Sequence, residues 1–231
     1  MLNNLSTTAA VLTAIWTALL ILFFMERMVG VFFEKRRATL PVVGFTYAGV
    51  FVFLLLTTFF VSPKINIYLA MPYDSFLIFV SCYAVTLNYK ARNTARLIAA
   101  LSAVPVFFAS NLFVTIFSRF FYHANLLITQ TAVILILLLS PLFAAVMAAL
   151  LRNFKNIKKH MTIAPIVTFF ILAMTLFAIY MIIIFMVFIQ QQAAITEPTR
   201  LLMLTVMSSI PLGFTLLLFY ILDVIAYIFS Q

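Results

Sequence analysis

Three ionisable side chains raise the first chemical question. Glu26 and Arg27 are adjacent in "LLILFFMERMVGVFF", and Asp223 stands in "LLLFYILDVIAYIF", each inside an apolar run. A charge in a run of this kind costs at least ~3 kcal/mol unless it finds a partner or an interface. Neighbours on a helix project about 100° apart, so Glu26 and Arg27 do not pair as i,i+4 residues do. An isolated carboxylate at such depth favours its neutral form, whereas arginine stays protonated. The sequence therefore expects Asp223 to be the partner of Arg27, with their two runs side by side. Glu26 is expected to be met by Arg92 or Arg96 from a later loop, or else to be neutral. The long stem of Arg27 also allows it to snorkel towards headgroups. Two readings fit these charges. They are polar contacts between helices at an interface, or they are a contact through which a signal leaves the bundle.

A second group lies elsewhere. Asp74 and Tyr73 sit in "AMPYDSF"; Ser110, Asn111 and Arg119 follow in the next long apolar run, and His123 comes just after it. Together they would line an outward-facing pocket. Alternatively, Asp74 and Arg119 form a pair that closes two adjacent helices. Other chemistries have no support. His123 and His160 are the two histidines, and neither has a Cys, His, Asp or Glu at ligand spacing, so no metal or other cofactor is expected. His160 follows Lys158 and Lys159 and reads as a headgroup contact. No glycine-rich phosphate loop and no nucleophile–base set occurs, so no enzyme activity is expected. The lone Cys82 allows no intrachain disulfide.

The elements that must hold these residues follow from composition. Of the 231 residues, 66% are hydrophobic and 8% charged, against about half and a quarter in soluble domains. Mean hydropathy is +1.23. This points to an all-α polytopic membrane bundle of one domain, residues 1–231. A spanning helix needs about 20 mostly apolar residues. Seven stretches qualify, near Ala9–Phe33, Leu40–Val61, Ile65–Leu87, Ala95–Phe121, Leu126–Leu151, Ile163–Ile189 and Leu201–Phe229. The start, "MLNNLSTT", lacks the basic flank of a signal peptide, so it is expected to be retained. Asn4-Leu-Ser6 matches a glycosylation sequon, a pattern short enough to arise by chance. Prolines 72, 105, 141, 165 and 211 read as helix kinks, which membrane helices tolerate. The 27 phenylalanines read mostly as lipid-facing bulk, and the four glycines leave little scope for tight small-xxx-small packing.

Lysine and arginine set the direction. Lys35, Arg36 and Arg37 follow the first stretch; Lys90, Arg92 and Arg96 follow the third; Arg152, Lys155, Lys158 and Lys159 follow the fifth. The opposite side has Lys64, Arg119 and Arg200. Basic residues accumulate in cytoplasmic loops, so the N-terminus is expected outside and the C-terminus inside, in the plasma membrane. The net charge of +9 then suits anionic inner-leaflet lipids rather than nucleic acid.

An outside N-terminus, seven helices and an inside C-terminus are also features of G-protein-coupled receptors and microbial rhodopsins. The residues exclude both. No lysine lies between Leu201 and Gln231 for a retinal Schiff base, and "TLNYKAR" replaces an Asp-Arg-Tyr-like triplet. Other segments carry a different likeness. "FMERMVGVFFEKRR", "VTLNYKARNTARLIAALSAV", "LLRNFKNIKKHMTIAPIVTFFILAMTL" and above all "SSIPLGFTLLLFYILDVIAYIFSQ" look like the membrane sensor region of bacterial peptide-pheromone receptor histidine kinases. These are the accessory-gene-regulator type, with a GHKL ATPase domain. In that family the last span commonly ends in a Phe-Tyr-x-x-Asp-like segment leading to a coiled coil and the kinase. Phe219, Tyr220 and Asp223 fill that pattern.

The resemblance implies a sensor half whose output domain is absent from this chain. A peptide or other amphipathic ligand would bind from outside near Tyr73, Asp74, Ser110, Asn111, Arg119 and His123. Glu26, Arg27, Tyr220 and Asp223 would pass the signal on. Expected partners are membrane lipids, an extracellular peptide, and a second copy or a separate output chain. The alternative is a small transporter or the substrate-binding membrane subunit of an importer. A transporter should gather polar groups at mid-membrane, whereas the charges here lie nearer the ends of the runs.

Overall fold

The computed structural model describes residues 7–61, 64, 67–122, 129–153 and 198–228. Among them the protein is all-helical. The helices are α1 (Thr7–Phe32), α2 (Leu40–Leu56), α3 (Ile67–Thr86), α4 (Asn93–Tyr122), α5 (Thr129–Leu151) and α6 (Pro198–Ile228). They occupy six of the seven apolar stretches, α6 taking the last. The stretch Ile163–Ile189 lies outside the described residues. Among the described residues four segments are long and apolar enough to cross a membrane: Thr8–Phe32, Leu40–Val61, Asn93–Thr115 and Ile134–Leu151. The first, with 25 residues, is about 37 Å long at ~1.5 Å per residue, more than the ~30 Å hydrocarbon core of a bilayer. Shorter apolar helices cover Tyr73–Thr86 and Ser209–Ile225.

Local chemistry explains the helix details. Pro41 stands in the first turn of α2, where its missing N–H costs nothing. At its far end α2 widens into a π turn, Thr57–Val61. There the Thr57 hydroxyl donates to the carbonyls of Phe53 and Leu54, both at 2.9 Å, and Thr58 donates to Leu54 at 2.7 Å. Hydroxyls bonding back to the preceding turn compete with the ordinary ladder and loosen it. Pro105, Pro141 and Pro211 lie inside α4, α5 and α6, and no helix breaks at them.

Among the described helices, α4 is the central one. It packs on α3, α5 and α6 and touches α1, and α1 in turn packs mainly on α5. Within its apolar window 78% of α4 is buried, against 22–39% for the other three candidate spans. The reason lies in its small side chains. Ala95, Ala99 and Ala103 recur every fourth residue and are buried, as are Ala144 and Ala148 on α5. Small residues at that spacing let helix backbones approach closely. Close packing thus rests on alanine rather than on the scarce glycines. All four glycines face open space.

The phenylalanines divide more evenly than the sequence suggests. Phe24, Phe32, Phe107, Phe108 and Phe219 are buried, while Phe45, Phe60 and Phe76 are exposed. The buried rings join helices: Phe24 to Phe107 at 5.6 Å between centroids, and Phe32 to Phe219 at 5.9 Å. Rings at such distances attract beyond the area they bury. The Phe32–Phe219 contact is where α1 meets α6, a lighter contact than those α4 makes.

Candidate functional site

Glu26 is the hub of a polar cluster at one end of the bundle. Its carboxylate accepts hydrogen bonds from the hydroxyls of Tyr47, on α2, and Tyr89, just past α3, the latter at 3.1 and 3.2 Å to its two oxygens. Arg36, in the loop after α1, donates to the same carboxylate at 2.5 Å. The long stem of Arg36 can return along the chain because its loop is held in place. Its backbone pairs with Tyr89 in an isolated antiparallel bridge, the Lys90 N–H donates to the Lys35 carbonyl at 3.1 Å, and the Arg37 N–H donates to the Asn88 carbonyl at 2.7 Å. Thr46 on α2 adds a hydrogen bond to the Asn88 amide oxygen at 3.1 Å. Two loops about fifty residues apart in sequence are thereby pinned together beneath one carboxylate.

Arg96 supports this arrangement from one step away. It donates to the Tyr89 carbonyl at 3.1 Å and to the Asn93 side chain at 3.0 Å. The sequence assigned Arg92 or Arg96 directly to Glu26, and the structure gives that place to Arg36. The reason is reach. Arg96 lies at the start of α4, facing the backbone that carries Tyr89, whereas Arg36 hangs from a loop folded back over the acid.

Burial and charge act together here. Burial pushes the Tyr89 phenol above its ordinary value, with Arg36 working against it, so Tyr89 remains a proton donor. The Arg36 guanidinium is held more firmly charged by the Tyr89 hydroxyl and then by the Glu26 carboxylate. The Arg36 and Glu26 side chains keep 45% and 31% of their surface exposed, so the ion pair is strengthened by its phenol partners rather than by deep burial.

Arg27 departs from expectation. Its guanidinium lies over the Phe23 ring, 4.8 Å from the centroid, one turn back towards the N-terminus. Side chains on a helix lean that way, and the ring face attracts the cation. So Arg27 neither snorkels towards the following loop nor makes an ion pair with Asp223 among the described residues, where the ion pair formed is Arg36–Glu26. Asp223 is half-buried on α6, with Phe219 buried one turn before it and Tyr220 exposed. Helices α1 and α6 meet at their rings, not at their charges.

Arg27 instead lines a cavity of about 600 Å³ beside the cluster, with Glu26, Gly30, Arg36, Tyr89 and Arg152 among its walls. Arg152 comes directly after α5. The α1–α5 packing thus brings Arg27 and Arg152, far apart in sequence, to one space.

The second residue group is arranged differently. Ser110 is buried and donates to the Val106 carbonyl at 2.7 Å, and the Asn111 side chain accepts from Thr115 at 3.1 Å. Both are satisfied on α4 itself. Asp74 is exposed on α3, and the Tyr73 hydroxyl is buried. The side chain of Arg119 and the whole of His123 lie outside the described residues. Among the described residues no set of three potential metal ligands comes together.

Comparison with protein-family models, with curated proteins and with solved structures finds no match to this chain.

Proposed function

We propose that this chain is the ligand-sensing membrane module of a bacterial signalling system, resembling the sensor half of an accessory-gene-regulator-type receptor histidine kinase. In this reading it has seven spans in the plasma membrane, with the N-terminus outside and the C-terminus inside. The ten basic residues of the three loops face the cytoplasm.

One observation carries the proposal. The polar cluster that pins α1, α2 and both adjoining loops together sits at the end where the first two basic loops lie, next to an apolar core of phenylalanine, methionine and alanine. A sensor needs an arrangement of helices that can shift, and a point where the shift is read. The Glu26 cluster can register a displacement of α1 against its neighbours, since three donors from separate segments must meet one carboxylate. A ligand alters such an equilibrium only through different affinities for the two arrangements. A transporter would gather polar groups around a substrate site at mid-membrane; the hydroxyls of Ser102, Ser140 and Thr215 are buried mid-helix, but the charges Glu26, Arg27 and Asp223 stand nearer the helix ends.

The test is a chimera. A histidine-kinase catalytic region fused after Gln231 gives an autophosphorylation readout in membranes. Glu26→Gln and Asp223→Asn should each change basal output at least threefold. Output within a factor of 1.5 of wild type in both variants, at equal expression, would contradict a sensing role for this end.

A further inference from the structure

The cavity beside the Glu26 cluster has a charge surplus. Among the described residues, three arginines and two glutamates line it: Arg27, Arg36 and Arg152, with Glu26 and Glu34. Arg36 and Glu26 neutralise one another as an ion pair. Among the described residues, neither Arg27 nor Arg152 is in an ion pair. Setting Glu34 against one of them still leaves one positive charge. The rest of the lining includes the rings of Phe23, Phe33 and Tyr89.

We propose that this cavity is a binding site for the phosphodiester headgroup of an anionic phospholipid from the inner leaflet. The inference rests on the membrane reading above and goes beyond it by assigning a ligand. A phosphodiester carries one negative charge and matches the surplus. Guanidinium groups suit phosphate oxygens because their N–H donors form a planar fork. Arg27 is held in place by its stacking on Phe23, so less freedom is lost when it binds. Arg152 enters from the end of α5, giving the phosphate a cation on each side. The volume of about 600 Å³ falls in the range of ~300–1,000 Å³ usual for small-molecule sites and exceeds what inorganic phosphate needs. The apolar rings suit the glycerol and first methylenes of the acyl chains. The site also borders the Arg36–Glu26 pair, so lipid occupancy would bear on the contact through which we propose the signal passes.

Gly30 supplies the decisive variant. It lines the cavity, and a Cβ placed there meets no atom within 4 Å. Gly30→Leu therefore starts from open space and extends into the site, and removing a glycine from a helix favours folding.

The experiment is native mass spectrometry of the full chain purified in detergent and titrated with dioleoyl-phosphatidylglycerol or dioleoyl-phosphatidylcholine. The expected result is at least fivefold tighter binding of phosphatidylglycerol. Each basic group removed at an anionic surface costs about fivefold, so Arg27→Gln with Arg152→Gln should abolish that preference. Gly30→Leu should weaken phosphatidylglycerol at least fivefold while Cys82 stays shielded from thiol reagents, as in the folded protein. Equal affinity for the two lipids would overturn the proposal. So would a preference unchanged in Gly30→Leu, or full displacement of the lipid by 10 mM inorganic phosphate, which would mark a simple ion site. Failure of the membrane reading looks different: the chain would stay soluble and monodisperse without detergent.

Discussion

Replacing Glu26 with glutamine keeps the shape of the side chain and removes its charge. One oxygen remains to accept from Tyr47 or Tyr89, but the second acceptor becomes an NH2 group facing donors, and the Arg36 ion pair is lost. A hydrogen bond to a charged group is worth about 1.5–3 kcal/mol when buried, and an exposed pair about 0–1 kcal/mol. With the two side chains 31% and 45% exposed, the expected cost lies between, at about 1–2 kcal/mol. For a chain of this size that corresponds to roughly 3–6 °C in melting temperature. Cys82 offers a direct assay, because it is the one cysteine and is fully buried. A thiol-reactive fluorophore reports its exposure as the detergent-solubilised protein is heated. Arg36→Gln alone should cost a similar amount, and the double variant should cost clearly less than the two added together, since the same contact is removed twice. A melting temperature unchanged by Glu26→Gln, or strictly additive effects, would refute the reasoning.

Three further outcomes follow from the packing and the loops. Ala99→Leu, at a fully buried position of α4, should destabilise by about 1–3 kcal/mol through overpacking, whereas Gly30→Ala, which meets open space, should stabilise by about 0.5–1 kcal/mol; the Cys82 melt ranks both. Tyr89 has a folded-state pKa raised by burial, so its contribution is present below the ordinary phenol value near 10 and is lost as pH rises through the folded value. Thermal melts followed by circular dichroism should therefore fall more steeply above pH 10 in wild type than in Tyr89→Phe. Arg96→Gln should loosen Tyr89 without touching Glu26 directly, and its effect should disappear in a Glu26→Gln background if both act through the same cluster.

Helix positions were legible because long apolar stretches broken by basic residues leave few other solutions: α2 begins at Leu40 and α5 ends at Leu151, where the composition places them. The centre of the bundle was harder to read. Hydropathy is as high in α2 as in α4, and the difference lies in alanines every fourth residue, a signal hidden when small residues are counted as glycines alone. At the charged end, the unusual acid Glu26 was identifiable from its apolar surroundings, but its partners were not. Tyr47 and Tyr89 look like ordinary aromatic residues, and the backbone pairing of Arg36 with Tyr89 joins segments that no local pattern links. The expected Arg27–Asp223 ion pair does not form among the described residues, and Phe23, one turn away on the same helix, takes the arginine. A neighbour at i−4 is available before any tertiary contact forms.

If the proposed orientation holds, the Glu26 cluster and its basic loops lie on the cytoplasmic face of a membrane bundle. Cysteine accessibility tests this most directly. In a Cys82→Ala background, single cysteines at Ser6, Lys90 and Lys158 are treated in intact cells with a membrane-impermeant maleimide, before and after permeabilisation. Ser6→Cys should be labelled from outside at once, while Lys90→Cys and Lys158→Cys should react only after the membrane is opened. Labelling of Lys90→Cys in intact cells would place the Glu26 cluster on the outer face and contradict the account.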